Sequence, residues 1–199
     1  MTLQFKALSD FLAVIGMKAE GKTTLTKAYC KSLRRLIFID PTWQVAELGY
    51  VVHYPERIGP AFKNFKKVVY QPKRMTKDSY QLAFEACLYQ TNYTLVVDEI
   101  DKFAKPRWYI CEETNEIINR GRAQGIGLIC NTRRPHKIHN DIRSNADHVV
   151  CFKLHEERDL KYMSEWMSIE ASKIKGLQKY HSLYYNVHAS TVTPQLPLF

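Results

Sequence analysis

Residues 11–24 read Phe11-Leu12-Ala13-Val14-Ile15-Gly16-Met17-Lys18-Ala19-Glu20-Gly21-Lys22-Thr23-Thr24. The segment from Gly16 to Thr23 fits G-x-x-x-x-G-K-[ST], with a strand-prone apolar run (11–15) before it and a helix-type run (22–33) after it. The glycines let the backbone curl so that successive amide N–H groups point inward and form a nest for an anion. A helix starting near Lys22 adds the positive end of its dipole and its unpaired amides. Lys22 then reaches the β and γ phosphates, and the Thr23 hydroxyl holds Mg²⁺. Gly16, Met17, Lys18, Ala19, Glu20, Gly21, Lys22, Thr23 and Thr24 are therefore the candidate nucleotide-binding residues. The bland alternative is a chance match in a βα turn, which the strand and helix flanks oppose. Glu20 is an oddity, because a carboxylate beside a phosphate nest is unfavourable unless it meets water or a cation. The sequence offers it no partner.

A second motif is Thr94-Leu95-Val96-Val97-Asp98-Glu99. A strand-prone run ending in Asp is the Walker B arrangement, in which the Asp98 carboxylate holds Mg²⁺ together with the Thr23 hydroxyl. Glu99 next to it suits a general base that polarises water for in-line attack on the γ phosphate. Alone, the two acids read equally well as a helix N-cap; paired with the phosphate loop they point to ATP and Mg²⁺. The strand-like runs at 36–39 and 68–70 fall between the motifs and leave room for strands between the phosphate-loop strand and the Asp98 strand.

Elsewhere strand-like and helix-like runs alternate, which predicts βαβ units. The expected fold class is α/β, a three-layer αβα sandwich with a mostly parallel sheet. One domain over 1–199 is expected, with 156–199 as a helix and hairpin extension. Asp40 ends the 36–39 strand, near the nucleotide or DNA or as a turn cap. Residues 42–60 read as irregular. A basic stretch follows (Lys63, Lys66, Lys67, Lys73, Arg74 and Lys77), either a solvated face or a phosphate-backbone contact. A helix is expected from an Asp78 N-cap to about 89, burying Leu82, Ala83, Ala86 and Tyr89. Another is expected over 106–120, with Trp108, Cys111, Ile117 and Ile118 inward. The spacing of Leu160, Met163, Trp166 and Met167 predicts an amphipathic helix over 156–166. A short helix over 168–175, ended by Gly176, and a hairpin turning at 188–190 complete the chain; the tail, 194–199, reads as a loose end or a docking peptide.

The net charge of +9 favours a polyanionic partner without requiring one. The five cysteines are scattered, with no C-x-x-C pair, and read as reduced, mostly buried thiols of an intracellular protein. No membrane span, secretion signal or histidine metal spacing is apparent.

Residues 122–135, Arg122-Ala123-Gln124-Gly125-Ile126-Gly127-Leu128-Ile129-Cys130-Asn131-Thr132-Arg133-Arg134-Pro135, resemble a segment of the form R-A-x-G-I-x-L-I-x-x-T-Q-R-P. That segment follows the Walker B strand in the FtsK–HerA group of DNA-pumping ATPases. With the Asn145 strand (145–152) and the closing run 177–186, the chain resembles that group over roughly residues 11–190, and most of all its small viral genome-packaging members. The resemblance implies a RecA-like P-loop NTPase fold and Arg122 as an arginine finger reaching a neighbouring subunit's site in a ring, a hexamer. It implies double-stranded DNA as the partner, gripped without base reading by basic loops such as 63–77 and 137–143, and capsid vertex proteins as docking partners. It also implies work in the host cytoplasm or on the virion. The group's sensor Gln is Arg133 here, so a sensor, a γ-phosphate contact and a DNA contact all stay open for it. The competing readings are a cellular or plasmid translocase, a small-molecule kinase, and a nucleotide-gated module that does not hydrolyse ATP.

Overall fold

The computed structural model describes residues 5–103 and 110–197. Its centre is one nine-stranded sheet made of β1 (Phe11–Ile15), β2 (Leu36–Ile39), β3 (Tyr50–Val52), β4 (Lys67–Tyr70), β5 (Tyr93–Val97), β6 (Ile126–Thr132), β7 (His148–Phe152), β8 (Ser182–Asn186) and β9 (Thr191–Gln195). The strand order is β3-β4-β2-β5-β6-β1-β7-β8-β9. Strands β1 to β7 run parallel, and the hairpin β8–β9 adds two antiparallel strands beside β7. This is the α/β, RecA-like arrangement expected.

The inner strands are apolar on both faces because both faces are covered. β1, β2, β5 and β6 are buried along their whole length. Alternate side chains divide between two cores, as the two-residue period of a strand requires. Leu12, Val14, Phe38, Val96 and Ile129 meet Cys30 of α1 (Lys22–Ser32) on one face. Ala13, Ile15, Ile39, Leu95 and Val97 share the other core with residues of α2 (Ile58–Asn64), α3 (Lys77–Leu88), α4 (Glu112–Arg120), α5 (Asn140–Asn145), α6 (Glu157–Met167) and α7 (Ala171–Lys175).

Several expectations need correction. The strand between the phosphate-loop strand and the Asp98 strand is β6, later in sequence than both; β2 and β4 lie on the far side of β5. Residues 42–60 are not irregular throughout, since they include the edge strand β3 and the start of α2. The N-cap of α3 is Thr76, in a reciprocal capping box with Ser79, and not Asp78. The buried stripe of α3 is Tyr80, Ala83, Phe84 and Cys87, while Leu82 and Tyr89 are 50% and 75% exposed. The first part of the 106–120 helix, with Trp108, lies outside the described residues; α4 starts at Glu112. The basic stretch 63–77 is not one face. Lys67 opens β4 at the edge opposite the phosphate loop, where its Nζ donates to the carbonyls of Cys30 (2.8 Å) and Lys31 (3.1 Å) and caps α1. Lys73 follows the other end of β4 and donates to Tyr54 Oη.

The helix over α6 buries Leu160, Met163, Trp166 and Met167, as its spacing predicts. All five cysteines are buried and unpaired. No helix among the described residues is long and apolar enough to cross a membrane.

Candidate nucleotide site

Ligands of an open parallel sheet bind beyond the carboxyl ends of its strands, and β1, β2, β5 and β6 all end at the same edge. The turn after β1 curls at Gly16 (φ 157°), Ala19 (φ 64°) and Gly21 (φ 113°). A Cβ at Gly16 would lie 2.6 Å from Phe152 Cβ, and one at Gly21 would lie 3.0 Å from Phe152 Cε1. Both glycines are thus required by backbone angle and by space. The Lys22 Nζ donates to the carbonyl of Met17 at 2.6 Å.

The tip of β5 faces this turn across a cleft of about 510 Å³, within the range of small-molecule sites. Lys18, Ala19, Gly21, Lys22, Thr23 and Thr24 line one side, and Asp98, Glu99 and Arg133 another. The phosphate turn and the paired acids therefore open into one cavity. Gly16, Met17 and Glu20 belong to the turn without lining the cavity wall. Glu20 Oε2 is buried and finds no hydrogen-bond partner among the described residues, although its charge acts on the Lys22 ammonium.

Burial pulls the Lys22 ammonium down from its ordinary range to about 8, against the raising influence of Asp98 and with Arg133 adding to the depression. Burial also raises the Asp98 carboxyl above its usual range, against hydrogen bonds from Asn131 and Thr42. Asn131 Nδ2 donates to Asp98 Oδ1 at 3.0 Å, and Thr26 Oγ1 donates to Asn131 Oδ1 at 2.9 Å, so one amide ties α1 to the tip of β5. Thr42 Oγ1 lies 3.0 Å from both Asp98 Oδ2 and Asp40 Oδ1, and its single proton serves one at a time. Asp40 is the turn cap of the two alternatives. It is fully buried and accepts from the backbone N–H of Thr42 and Val45 and from Gln71 Nε2.

Glu99 takes a left-handed backbone conformation (φ 51°, ψ 49°), which costs a non-glycine residue about 1 kcal/mol or more. Its carboxylate is held between Arg133 Nη2 and Lys102 Nζ. Arg122 lies elsewhere. Its Nη2 donates to both carboxylate oxygens of Asp147 (2.8 and 2.7 Å) and its Nε to the carbonyl of Ser9 (3.0 Å). Asp147 also accepts the N–H of Phe11, the first residue of β1. Arg122 therefore sits at the opposite edge of the sheet, the length of β1 from the phosphate turn, on the order of 15 Å. Within this chain it does not approach the cleft.

Asn131, Thr42, Gln44 and Tyr180 are cleft or supporting residues that sequence reading gave no role. A polar residue near the end of an otherwise apolar strand was a usable signal for Asn131. Nothing local marked the others.

The donor set suits Mg²⁺. Thr23 and Asp98 offer hard oxygen ligands in the same cleft, and this ion commonly takes few protein ligands beside phosphate oxygens.

The fold is of the P-loop NTPase type, and the cleft lies where an open parallel sheet places its ligands. The chain shares its fold with the genome packaging NTPase B204 from Sulfolobus turreted icosahedral virus 2, solved in complex with AMPPCP, at a TM-score of 0.83 and 24% identity over 97% of this chain and 100% of that one. The DNA-packaging ATPase B204 from Sulfolobus turreted icosahedral virus superposes at 0.82, with 24% identity over 96% of this chain and 98% of that chain. VirB4 of Thermoanaerobacter pseudethanolicus matches at 0.65, with 10% identity over 92% and 88%. No protein-family model and no curated protein matches the sequence. The resemblance drawn from the motifs thus holds at the level of the fold.

Proposed function

We propose that this chain is an ATP- and Mg²⁺-dependent motor that drives double-stranded DNA into a viral capsid. The observation that carries the reading is the opening of the Gly16–Thr23 turn and the Asp98–Glu99 tip into one cleft. Lys22 and the turn amides bind the triphosphate, Thr23 and Asp98 hold the metal, and Glu99 orients and deprotonates the attacking water. Mg²⁺ held by Thr23 and Asp98 would supply positive charge that offsets the charge of the phosphates. Arg133 stands at the sensor position, beside Glu99. Arg122 is the candidate finger toward a neighbouring subunit in a hexameric ring, and reaching that site requires its pair with Asp147 to open. The fold shared with B204 supports packaging, and the charge of +9 supports a polyanionic cargo. Capsid vertex proteins would be its docking partners, in the host cytoplasm or on the virion.

The test is ATP hydrolysis with and without duplex DNA in the parent, Lys22→Ala and Glu99→Gln proteins. The expected result is DNA-stimulated turnover in the parent alone. Equal turnover in parent and Glu99→Gln would remove Glu99 from the chemistry, and phosphorylation of a nucleoside instead of water would make the chain a small-molecule kinase. A cellular or plasmid translocase would share the turnover and lack capsid dependence.

A further inference from the structure

We infer that Tyr180 forms the nucleobase platform of the cleft, a binding role that neither of the two phosphate motifs supplies. The inference rests on the nucleotide reading above. The two sides of β1 are unlike. Asp98 and Glu99 stand on the β5 side, beyond β6, and belong to the hydrolytic end of a bound triphosphate. The other side is built by β7 and by the segment leading into β8. There Phe152 abuts the phosphate turn, and a Cβ at Gly21 would lie 3.5 Å from Tyr180 Cδ1. A triphosphate with its terminal end at Asp98 and Glu99 directs its nucleoside away from them, toward this side.

Tyr180 is shaped for that end. It is half-buried, lines the same cleft as Lys22 and Asp98, and is the one aromatic residue among the described residues lining it. Its backbone lies in the left-handed region (φ 67°), sparsely populated by non-glycine residues and held only where the surroundings impose it. The ring is also a cation–π partner of Lys179, whose Nζ lies 5.0 Å from its centroid, which polarises it beside a group able to meet a phosphate or ribose oxygen. A planar ring fixed against the phosphate turn offers a base the sequence-tolerant stacking surface that aromatic residues give nucleic acid bases. The ligand class is therefore a nucleoside triphosphate whose base is read by its π face. ATP and GTP should bind with similar affinity, and inorganic tripolyphosphate should not use Tyr180.

The experiment measures binding of ATP and of tripolyphosphate, each with Mg²⁺, by calorimetry on the parent, Tyr180→Ala, Tyr180→Leu and Tyr180→Phe proteins. Loss of a stacked base should weaken ATP binding roughly tenfold in the Ala and Leu variants, with Phe within about threefold of the parent. Tripolyphosphate affinity should be unchanged in all, which also shows that the variants fold. ATP affinity insensitive to Ala and Leu overturns the inference. So does an equal loss for both ligands, since Tyr180 would then act only by shaping the phosphate turn. A parent that binds neither ligand overturns the nucleotide reading itself, and the inference with it.

Discussion

Arg133 and Glu99 form a direct ion pair at the head of the cleft, and Lys102 holds the same carboxylate from another direction. Both cations occupy the carboxylate oxygens that would face an attacking water, so in the proposed role Glu99 would reach water only once this arrangement loosens. Arg133 is 42% exposed on its side chain and Glu99 only 9%, so the arginine is the freer partner. An incoming γ phosphate is an alternative anion for the same guanidinium.

Glu99→Gln should lower ATP turnover by about 10²- to 10⁴-fold, the usual loss of a general base, while ATP still binds. Arg133→Gln should keep turnover within about tenfold of the parent, because an amide still hydrogen-bonds both Glu99 and phosphate. Arg133→Glu, which sets like charges against each other, should lose it. Steady-state hydrolysis and nucleotide binding on the same preparations check all three; a Glu variant as active as the Gln variant would sever the pair from catalysis.

Lys22 should make ATP affinity pH-dependent. Its pKa in the free protein is about 8, against 10.5 for the ordinary side chain. A phosphate favours the charged form, so binding raises that pKa. Affinity should therefore be full below pH 8 and fall as pH rises through 8 to 10, by up to about tenfold per unit. Folding stability runs the other way. The unfolded chain binds the extra proton between pH 8 and 10.5, so this residue's contribution to stability rises over that window. Calorimetric titrations at pH 7, 8 and 9 should show the decline for the parent and a flat profile for Lys22→Arg.

Asn131 is 1% exposed and holds Thr26 and Asp98 at once. Asn131→Ala takes from the Thr26 hydroxyl its acceptor and from Asp98 Oδ1 its donor, leaving Asp98 with Thr42 alone, and each lost bond costs about 1–3 kcal/mol. Denaturant unfolding should show a loss of about 2 kcal/mol or more. Asn131→Asp should also weaken Mg²⁺-dependent ATP binding, since a second carboxylate would face Asp98.

The Arg122–Asp147 pair links α4's end to the start of β1. Burial works to raise the Asp147 carboxyl, but the N–H of Phe11, Arg122 and His188 outweigh it and hold the group below the usual range. Its stabilising contribution is present above the ordinary carboxylate pKa and is lost as pH falls through the depressed one. Arg122→Ala should destabilise by about 1–3 kcal/mol at pH 7 and by less near pH 3, read by thermal or denaturant unfolding. If Arg122 also acts across a ring, mixing Arg122→Ala with Lys22→Ala subunits should restore turnover that neither has alone.

What the sequence determined about this protein was local. Gly16, Gly21, Lys22 and Thr23 specify a phosphate turn because backbone angle, space and charge are set within a few residues. The run ending in Asp98 and Glu99 specifies a buried strand with acids at its tip for the same reason, and the Leu160–Met167 spacing specifies the face of α6. The buried stripe of α3 keeps Ala83 but takes Tyr80, Phe84 and Cys87 in place of Leu82, Ala86 and Tyr89, because packing against the rest of the chain fixes which face turns inward. Only the tertiary structure decided that β6 stands between the two motifs, that Asn131 bridges Thr26 across 105 residues of chain, that Lys67 caps α1, and that Arg122 faces away from its own cleft. It also brought Tyr180 to the phosphate turn. Those relations arise from strand order and long-range packing, which depend on how the whole chain buries its apolar surface and leave no periodic or spacing signal along the chain.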